Sequence, residues 1–288
     1  MSDAAARTAI MPIALVAAEQ YLPASQRVVD DPLALRMLPL GARLFVRCLR
    51  PRFVRNWIIG ASEKSNPGIW GGLLCRKRYI DEALLASSRE IEAVVSLGAG
   101  FDTRCFRLPE VSTLPAWEAD QRGNIDLKAA RLRRVLGAVP ANVRTFPVDF
   151  ERESLGDALS RQGFSHDRRT FFIWEAVTQY LTEPGVHAVF AFLSGAAAGS
   201  RLAFTYVRRE FLEGREPFGW PRGYQRFVAS GLWRFGMTPR SCADLLAGYG
   251  WRVVEDVAYA DLASRYIAPT GRALSSTAVE RAVLARKI

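Results

Sequence analysis

The sequence predicts an α/β protein built on a doubly wound parallel sheet, and two observations carry that expectation. Short runs rich in β-branched and aromatic residues, IEAVVSLG, STLPAWEAD, NVRTFPVDF, RTFFIWEAV and SRLAFTYV, alternate with segments of helical period such as QRGNIDLKAARLRRVLG and EPGVHAVFAFLSGAAAG. Runs without polar alternation suit strands buried on both faces, and intervening helices imply a parallel sheet covered on both sides. The first run also stops at Gly98-Ala99-Gly100. In such sheets ligands bind beyond the carboxyl ends of the strands, where strand order reverses.

The elements follow in order. Up to about Leu85 the chain reads helical. DDPLALRMLPLGARLFVRCL has apolar residues at helical spacing, with Asp30 and Asp31 as start signals and Pro32 in the first turn. LLCRKRYIDEALLASS is a second helix. The five strand runs and their helices come next, and WRVVEDVAY and VERAVLARKI close the chain as two further strands, expected as an antiparallel edge pair. There is no internal repeat and no low-complexity linker, so 1–288 reads as one domain.

Bulk properties narrow the function. A hydrophobic content of 49% with 24% charged residues provides a full core. The net charge of +10 comes mostly from arginines scattered along the chain, read as a solvated surface and not as a nucleic-acid or membrane footprint. No window is long and apolar enough to span a bilayer, and the N-terminus lacks a signal-peptide pattern. Cys48, Cys75, Cys105 and Cys242 are far apart and His166 and His187 stand alone, so no metal site is expected. The cysteines read as buried thiols of a reducing, cytoplasmic compartment.

The glycine turn is the centre of the functional reading. Gly98 and Gly100 let the backbone turn tightly and approach a ligand, but Thr103 stands where a dinucleotide fingerprint has its third glycine, which argues against a nicotinamide cofactor. Asp102 suits a helix cap, and Arg104 suits pairing with a carboxylate near the turn. Later strands end in acids: Glu118 and Asp120, then Asp149 before Phe150, then Glu175. A carboxylate about 20 residues beyond the turn can accept both hydroxyls of a ribose. An acid followed by an aromatic can meet an adenine. Together these point to a nucleoside pocket with a polar amino-acid tail.

The segments RKRYIDEAL, VVSLGAGFDTRCFRL, WEADQRGNIDLKAARL, VDFERESL and FFIWEAVTQYLTEPG resemble the leucine carboxyl methyltransferase family. They look closest to its bacterial S-adenosylmethionine-dependent O-methyltransferases of the tetracenomycin type. The resemblance runs from about Thr8 to the end. It implies a class I S-adenosylmethionine-dependent methyltransferase (Rossmann-like) sheet with N-terminal helices and a lid insertion after the fifth strand. The parts are then a helical cap at 1–90, a cofactor-binding core at 91–207, a lid at 208–238 and the rest of the core at 239–288. Carried over by position, Gly98 and Gly100 lie against the methionine moiety. Asp120 binds the ribose, with Glu118 as second candidate. Asp149 and Phe150 meet the adenine, and Glu175 faces the methionine amino group. Arg76 pairs with the methionine carboxylate, with Arg78 its neighbour in the motif. The implied cofactor is S-adenosylmethionine, leaving as S-adenosylhomocysteine, without metal. Two positions depart from the pattern: Ala176 where glycine is usual and Cys105 where alanine is common.

The acceptor reads less clearly. A carboxylate is ionised at neutral pH and needs no base, whereas a phenol gains from one. Bases are scarce, which favours a small-molecule or polyketide-type carboxylate over a hydroxyl. The candidates are Tyr206, at the end of the fifth strand, and His187, which otherwise reads as structural. Arg208 and Arg209 could face an anionic acceptor or solvent. Trp220, Tyr224, Phe227, Trp233 and Phe235 could line an aromatic acceptor pocket or form the lid's own core. A protein C-terminal carboxylate is the alternative acceptor, and a non-catalytic cofactor-binding protein the alternative class. Neither nucleic acid nor membrane is expected as partner.

Overall fold

The structure is a computed structural model that describes residues 10–288. Residues 1–9, the start of the expected cap and of the N-terminal stretch read above, lie outside the described residues.

The cap holds α1 (Ile10–Glu19), α2 (Ala34–Met37), α3 (Leu40–Cys48), α4 (Arg52–Ser65) and α5 (Ile69–Ser87). The single helix expected from Asp30 is two, because Leu38 before Pro39 is extended at ψ 145°. A residue preceding proline is pushed out of the helical region, and Pro39 then opens α3. Asp31 still starts α2, its Oδ1 accepting from the backbone N–H groups of Leu33 and Ala34.

The sheet follows as β1 (Ala93–Leu97), α6 (Arg104–Arg107), β2 (Ala116–Asp120), α7 (Arg122–Leu136), β3 (Val143–Pro147), α8 (Leu155–Arg161), β4 (Thr170–Trp174), α9 (Glu183–Ser194) and β5 (Arg201–Val207). After β5 come α10 (Arg209–Leu212), a π-helical turn at Tyr224–Ala229, α11 (Pro239–Gly248), β6 (Trp251–Ala258), α12 (Tyr259–Tyr266) and β7 (Glu280–Lys287). Strand order is β3-β2-β1-β4-β5-β7-β6. The first five strands pair in parallel. β7 is antiparallel to both neighbours and sits between β5 and β6, so the expected edge pair forms with β6 outermost.

Strand residues alternate between two cores. Val94, Ala116, Phe171, Ile173 and Ala203 pack with α1, α2 and α5, while Val95, Trp117, Phe172, Phe204 and Trp251 pack with α8, α9 and α11. The cap therefore shares its core with the sheet. A third cluster gathers Phe211, Trp220, Phe227 and Trp233 over Val207 and Val279. It belongs to the segment after β5, whose ends meet: Met237 N–H donates to Val207 O and Arg209 N–H to Met237 O, both at 3.0 Å. Cys75, Cys105 and Cys242 are buried thiols as expected, but Cys48 is exposed, because it falls on the outward face of α3.

Candidate cofactor and active site

Strand order reverses between β1 and β4, and a cleft opens there at their carboxyl ends. Its floor is the glycine turn. Gly98 has φ +77°, and a Cβ added to it would stand 2.2 Å from Val177 Cγ2, so only glycine fits. The turn is held to β2: Gly98 and Ala99 N–H both donate to Ala119 O, and Gly100 N–H donates to Asp120 Oδ2 at 2.6 Å. Asp120 Oδ1 accepts from Gln121 N–H and Asn124 Nδ2, and the carboxylate lines the cleft. Each oxygen keeps lone-pair capacity for a further hydroxyl donor.

The polar wall is built around Glu175, just after β4. Its Oε1 accepts from Arg76 Nε at 2.7 Å, and its Oε2 from Lys77 Nζ at 3.1 Å and Arg104 Nη1 at 2.8 Å. Burial opposes ionisation here, but Lys77, Arg104 and Arg76 outweigh it and hold this carboxyl well below the ordinary range. Arg76 also reaches Glu280 Oε2 at 3.7 Å. Arg104 is itself held by Asp81 Oδ1 and Asp102 Oδ2, both at 2.6 Å. It pairs with carboxylates near the turn as the sequence suggested, while the N-cap of α6 is Thr103 and Asp102, one residue before it, accepts from Arg104 N–H through Oδ1. Arg76, Lys77, Glu175 and Glu280 all line the cleft. Such an alternation of charges complements an α-amino acid zwitterion.

The apolar walls come from Phe150, from Met11 and Ile13 of α1, and from Trp220, Phe227 and Trp233 of the segment after β5. Phe227 and Trp233 stack at 4.5 Å with an interplanar angle of 11°. Of the aromatics, Trp220, Phe227 and Trp233 pack as a cluster and also line the cleft. Tyr224 packs edge-on against Phe211, and Phe235 joins the core beneath the sheet.

Several predicted residues are placed elsewhere. Arg78 is half-exposed on the outer face of α5 and bonds Glu82 Oε1, because it lies two residues beyond Arg76 on the helix. Glu118 is buried away from the cleft against Lys128 Nζ of α7 at 2.7 Å. Asp149 caps its own turn by accepting from Glu151 N–H, and Phe150 alone of that pair lines the cleft. Tyr206 faces the opposite side of the sheet, its hydroxyl bonded to Asp256 Oδ2 at 2.8 Å and its ionisation suppressed first by burial and then by that carboxylate. Strand alternation sends Tyr206 there with Leu202 and Phe204. His187 is on α9 beside Tyr249, at 2.9 Å from its hydroxyl. Arg208 stacks over Phe218 and Arg209 bonds Gly236 O, so neither enters the cleft.

Sequence reasoning missed Lys77, Gln179, Tyr259 and Glu280 in the cleft. Lys77 was adjacent to Arg76 in RKRYIDEAL. Glu280 carried no local signal, since its place depends on β7 inserting beside β5. Among the described residues no group of three or more metal-ligating side chains occurs.

The cleft fits S-adenosylmethionine by its donor set. Asp120 offers acceptors for a ribose, Phe150 an apolar face for a base, and Arg76, Lys77 and Glu175 charges for a methionine zwitterion. A family model for leucine carboxyl methyltransferases matches residues 9–194. A protein of Mycobacterium avium strain 104, assigned as an S-adenosyl-L-methionine-dependent methyltransferase, is 30% identical over 254 residues, covering 83% of this chain and 81% of that protein. A like-named protein of Mycolicibacterium gilvum strain PYR-GCK is 33% identical over 184 residues, 62% of this chain and 59% of the relative. Two crystal structures share the fold. A DUF574 family protein from Streptomyces avermitilis has a TM-score of 0.58 at 18% identity, covering 80% of this chain and 88% of that one. A methyltransferase from Thermobifida fusca has a TM-score of 0.57 at 17% identity, covering 82% and 89%. The chain belongs to the leucine carboxyl methyltransferase family and is an S-adenosylmethionine-dependent methyltransferase.

Proposed function

We propose that the enzyme is an O-methyltransferase acting on a carboxylate of a small, partly apolar molecule, with the segment at 208–238 serving as lid. The observation that carries this is that the carboxylates at the glycine turn and after β4 are all engaged, and that both bases expected from the sequence lie elsewhere. Glu175 and Asp102 are held ionised by arginines, Asp120 is engaged by backbone and amide donors, and Tyr206 and His187 lie outside. A carboxylate acceptor needs no proton removed. When bound, the cofactor supplies a methyl on a sulfonium that is open to in-line displacement. The chain's residues would hold the zwitterion with Arg76, Lys77 and Glu175, align the acceptor beneath Trp220, Phe227 and Trp233, and exclude water there. An aromatic-walled cleft also suits a small acceptor better than the C-terminus of a folded protein.

A second reading rests on Glu280, which lines the cleft and whose carboxyl burial raises above its ordinary range, with Arg76 opposing. If the acceptor is a hydroxyl, this is the group placed to take its proton.

The test is transfer of methyl-labelled cofactor to an extract of small acids and phenols, followed by mild alkali. Release of labelled methanol identifies a carboxyl ester. Label that survives alkali, with transfer lost in Glu280→Gln, overturns the carboxylate reading in favour of the hydroxyl.

A further inference from the structure

Residues 32–62 contain six arginines, Arg36, Arg43, Arg47, Arg50, Arg52 and Arg55, and no aspartate or glutamate. Read along the chain, the arginines looked scattered. The fold gathers Arg36, Arg43 and Arg47 with Arg131 and Arg134 of α7, leaves Arg50 and Arg52 exposed beside them in sequence, and buries Arg55. Arg43 is held below the usual arginine range by burial and then by Arg134, Arg131, Arg47 and Arg36 around it. On α3 and α4 large apolar side chains stand in water: Leu40 is 60% exposed, Leu44 51%, Phe45 52%, Phe53 77% and Trp57 70%. Leu40 and Leu44, like Phe53 and Trp57, are four residues apart and so share a helix face. α4 is held from its opposite side, through Val54, Ile58 and Ile59.

We propose that α3 and α4 form a docking surface for an anionic lipid bilayer. Helices that present Trp, Phe and Leu amid arginines are suited to lie in the headgroup region, with apolar side chains inserted and guanidiniums on lipid phosphates; the one acid of the pair, Glu63 in the last turn of α4, is engaged by Gly68 N–H and Ser275 Oγ. Exposures of 70% and above mean that Phe53 and Trp57 protrude, which suits insertion into lipid better than a flat protein partner. A second copy of the chain fits poorly. A two-fold dimer through this face would set its arginines against themselves. A nucleic acid would use the arginines but leave five apolar side chains in water.

The test is flotation of the full-length enzyme with vesicles of phosphatidylcholine alone and of equal parts phosphatidylcholine and phosphatidylglycerol. The enzyme is expected to float with the anionic vesicles only and to be released by salt. Replacing Phe53→Ser together with Trp57→Ser should lower partitioning at least tenfold. Each of Arg47→Gln, Arg50→Gln and Arg52→Gln should lower it roughly fivefold. All should bind S-adenosylhomocysteine like the wild type, which separates loss of docking from loss of fold. The proposal is overturned if the enzyme stays in solution with both vesicles, if it floats equally with both, or if the Phe53/Trp57 variant floats like wild type. It is also overturned if sedimentation shows a wild-type dimer that this variant converts to monomer.

Discussion

Ala176 combines a local penalty with a place in the active cleft. Its φ is +56°, a left-handed conformation, and its N–H donates to Thr205 Oγ1 at 2.8 Å. A Cβ in that region costs roughly 1 kcal/mol that glycine does not pay. Ala176→Gly is therefore expected to raise the unfolding midpoint by about 2 °C, read by calorimetry; a lowered midpoint would show that the alanine methyl contributes packing that outweighs the strain. Glu118 and Lys128 give a second residue-scale prediction. They are 1% and 0% exposed and form an ion pair at 2.7 Å. Lys128→Met leaves a buried carboxylate unpaired and should cost about 3–5 kcal/mol, whereas adding Glu118→Leu should recover most of it. Burial, opposed by Lys128, pushes the Glu118 carboxyl up to about 7. The folded chain thus keeps this proton where the unfolded chain has lost it. Its contribution to stability is full below about pH 4.5 and is lost as pH rises to about 7. The double variant should lack that decline in urea titrations and should bind S-adenosylhomocysteine normally; weakened cofactor binding would restore Glu118 to the ribose site.

At the scale of elements, the strands were legible because each is a short β-branched or aromatic run ended by glycine or an acid. α5 was legible as LLCRKRYIDEALLASS. α4 lies within the stretch read as helical but was not singled out, since its apolar residues Phe53 and Trp57 face water and confuse the helical pattern. The consequence of placing β7 between β5 and β6 was equally invisible. Register sets Arg201 opposite Arg286, and Arg286 opposite Arg252, a row of like charges across three strands. Arg201 of the row is paired with an acid, Glu90 at 2.8 Å. Opposed like charges destabilise a sheet by some tenths of a kcal/mol. Arg286→Gln should stabilise the fold by about 0.2–1 kcal/mol in low salt and by less in high salt. Urea unfolding at two salt concentrations checks both points, and a gain unaffected by salt would rule out charge as its source.

Across the whole molecule, the sequence revealed the strand ends and the glycine turn because they are local features. Of the ionic network joining the cap to the sheet only the pairing of Arg104 near the turn was legible, because Arg76, Lys77, Asp81, Arg104, Glu175 and Glu280 meet only after folding. Arg104, 1% exposed, lies at its centre, reaching Asp81 of α5, Asp102 beyond β1 and Glu175 beyond β4. Arg107 adds a bond to Asp81 Oδ2, and Thr103 Oγ1 donates to Asp31 Oδ2 at the start of α2. With α1, α2 and α5 packed in the same apolar core as β1 and β4, the cap has no separate core to melt into. One calorimetric transition is therefore expected, and two would show that the cap unfolds alone. The same network fixes the acid limb. Burial opposes the ionisation of Asp102, but Arg104 and Lys77 bring its carboxyl down to about 2, and Glu175 is also depressed. The unfolded chain takes up these protons first as acid is added. The stability they confer is thus complete above about pH 4 and lost as pH falls through about 2. Arg104→Met should cost about 3–5 kcal/mol at neutral pH by stranding buried carboxylates, and should flatten the acid limb between pH 4 and 2. If its unfolding midpoint instead falls with pH as steeply as that of wild type, the acid sensitivity arises elsewhere and the hub role of Arg104 is wrong.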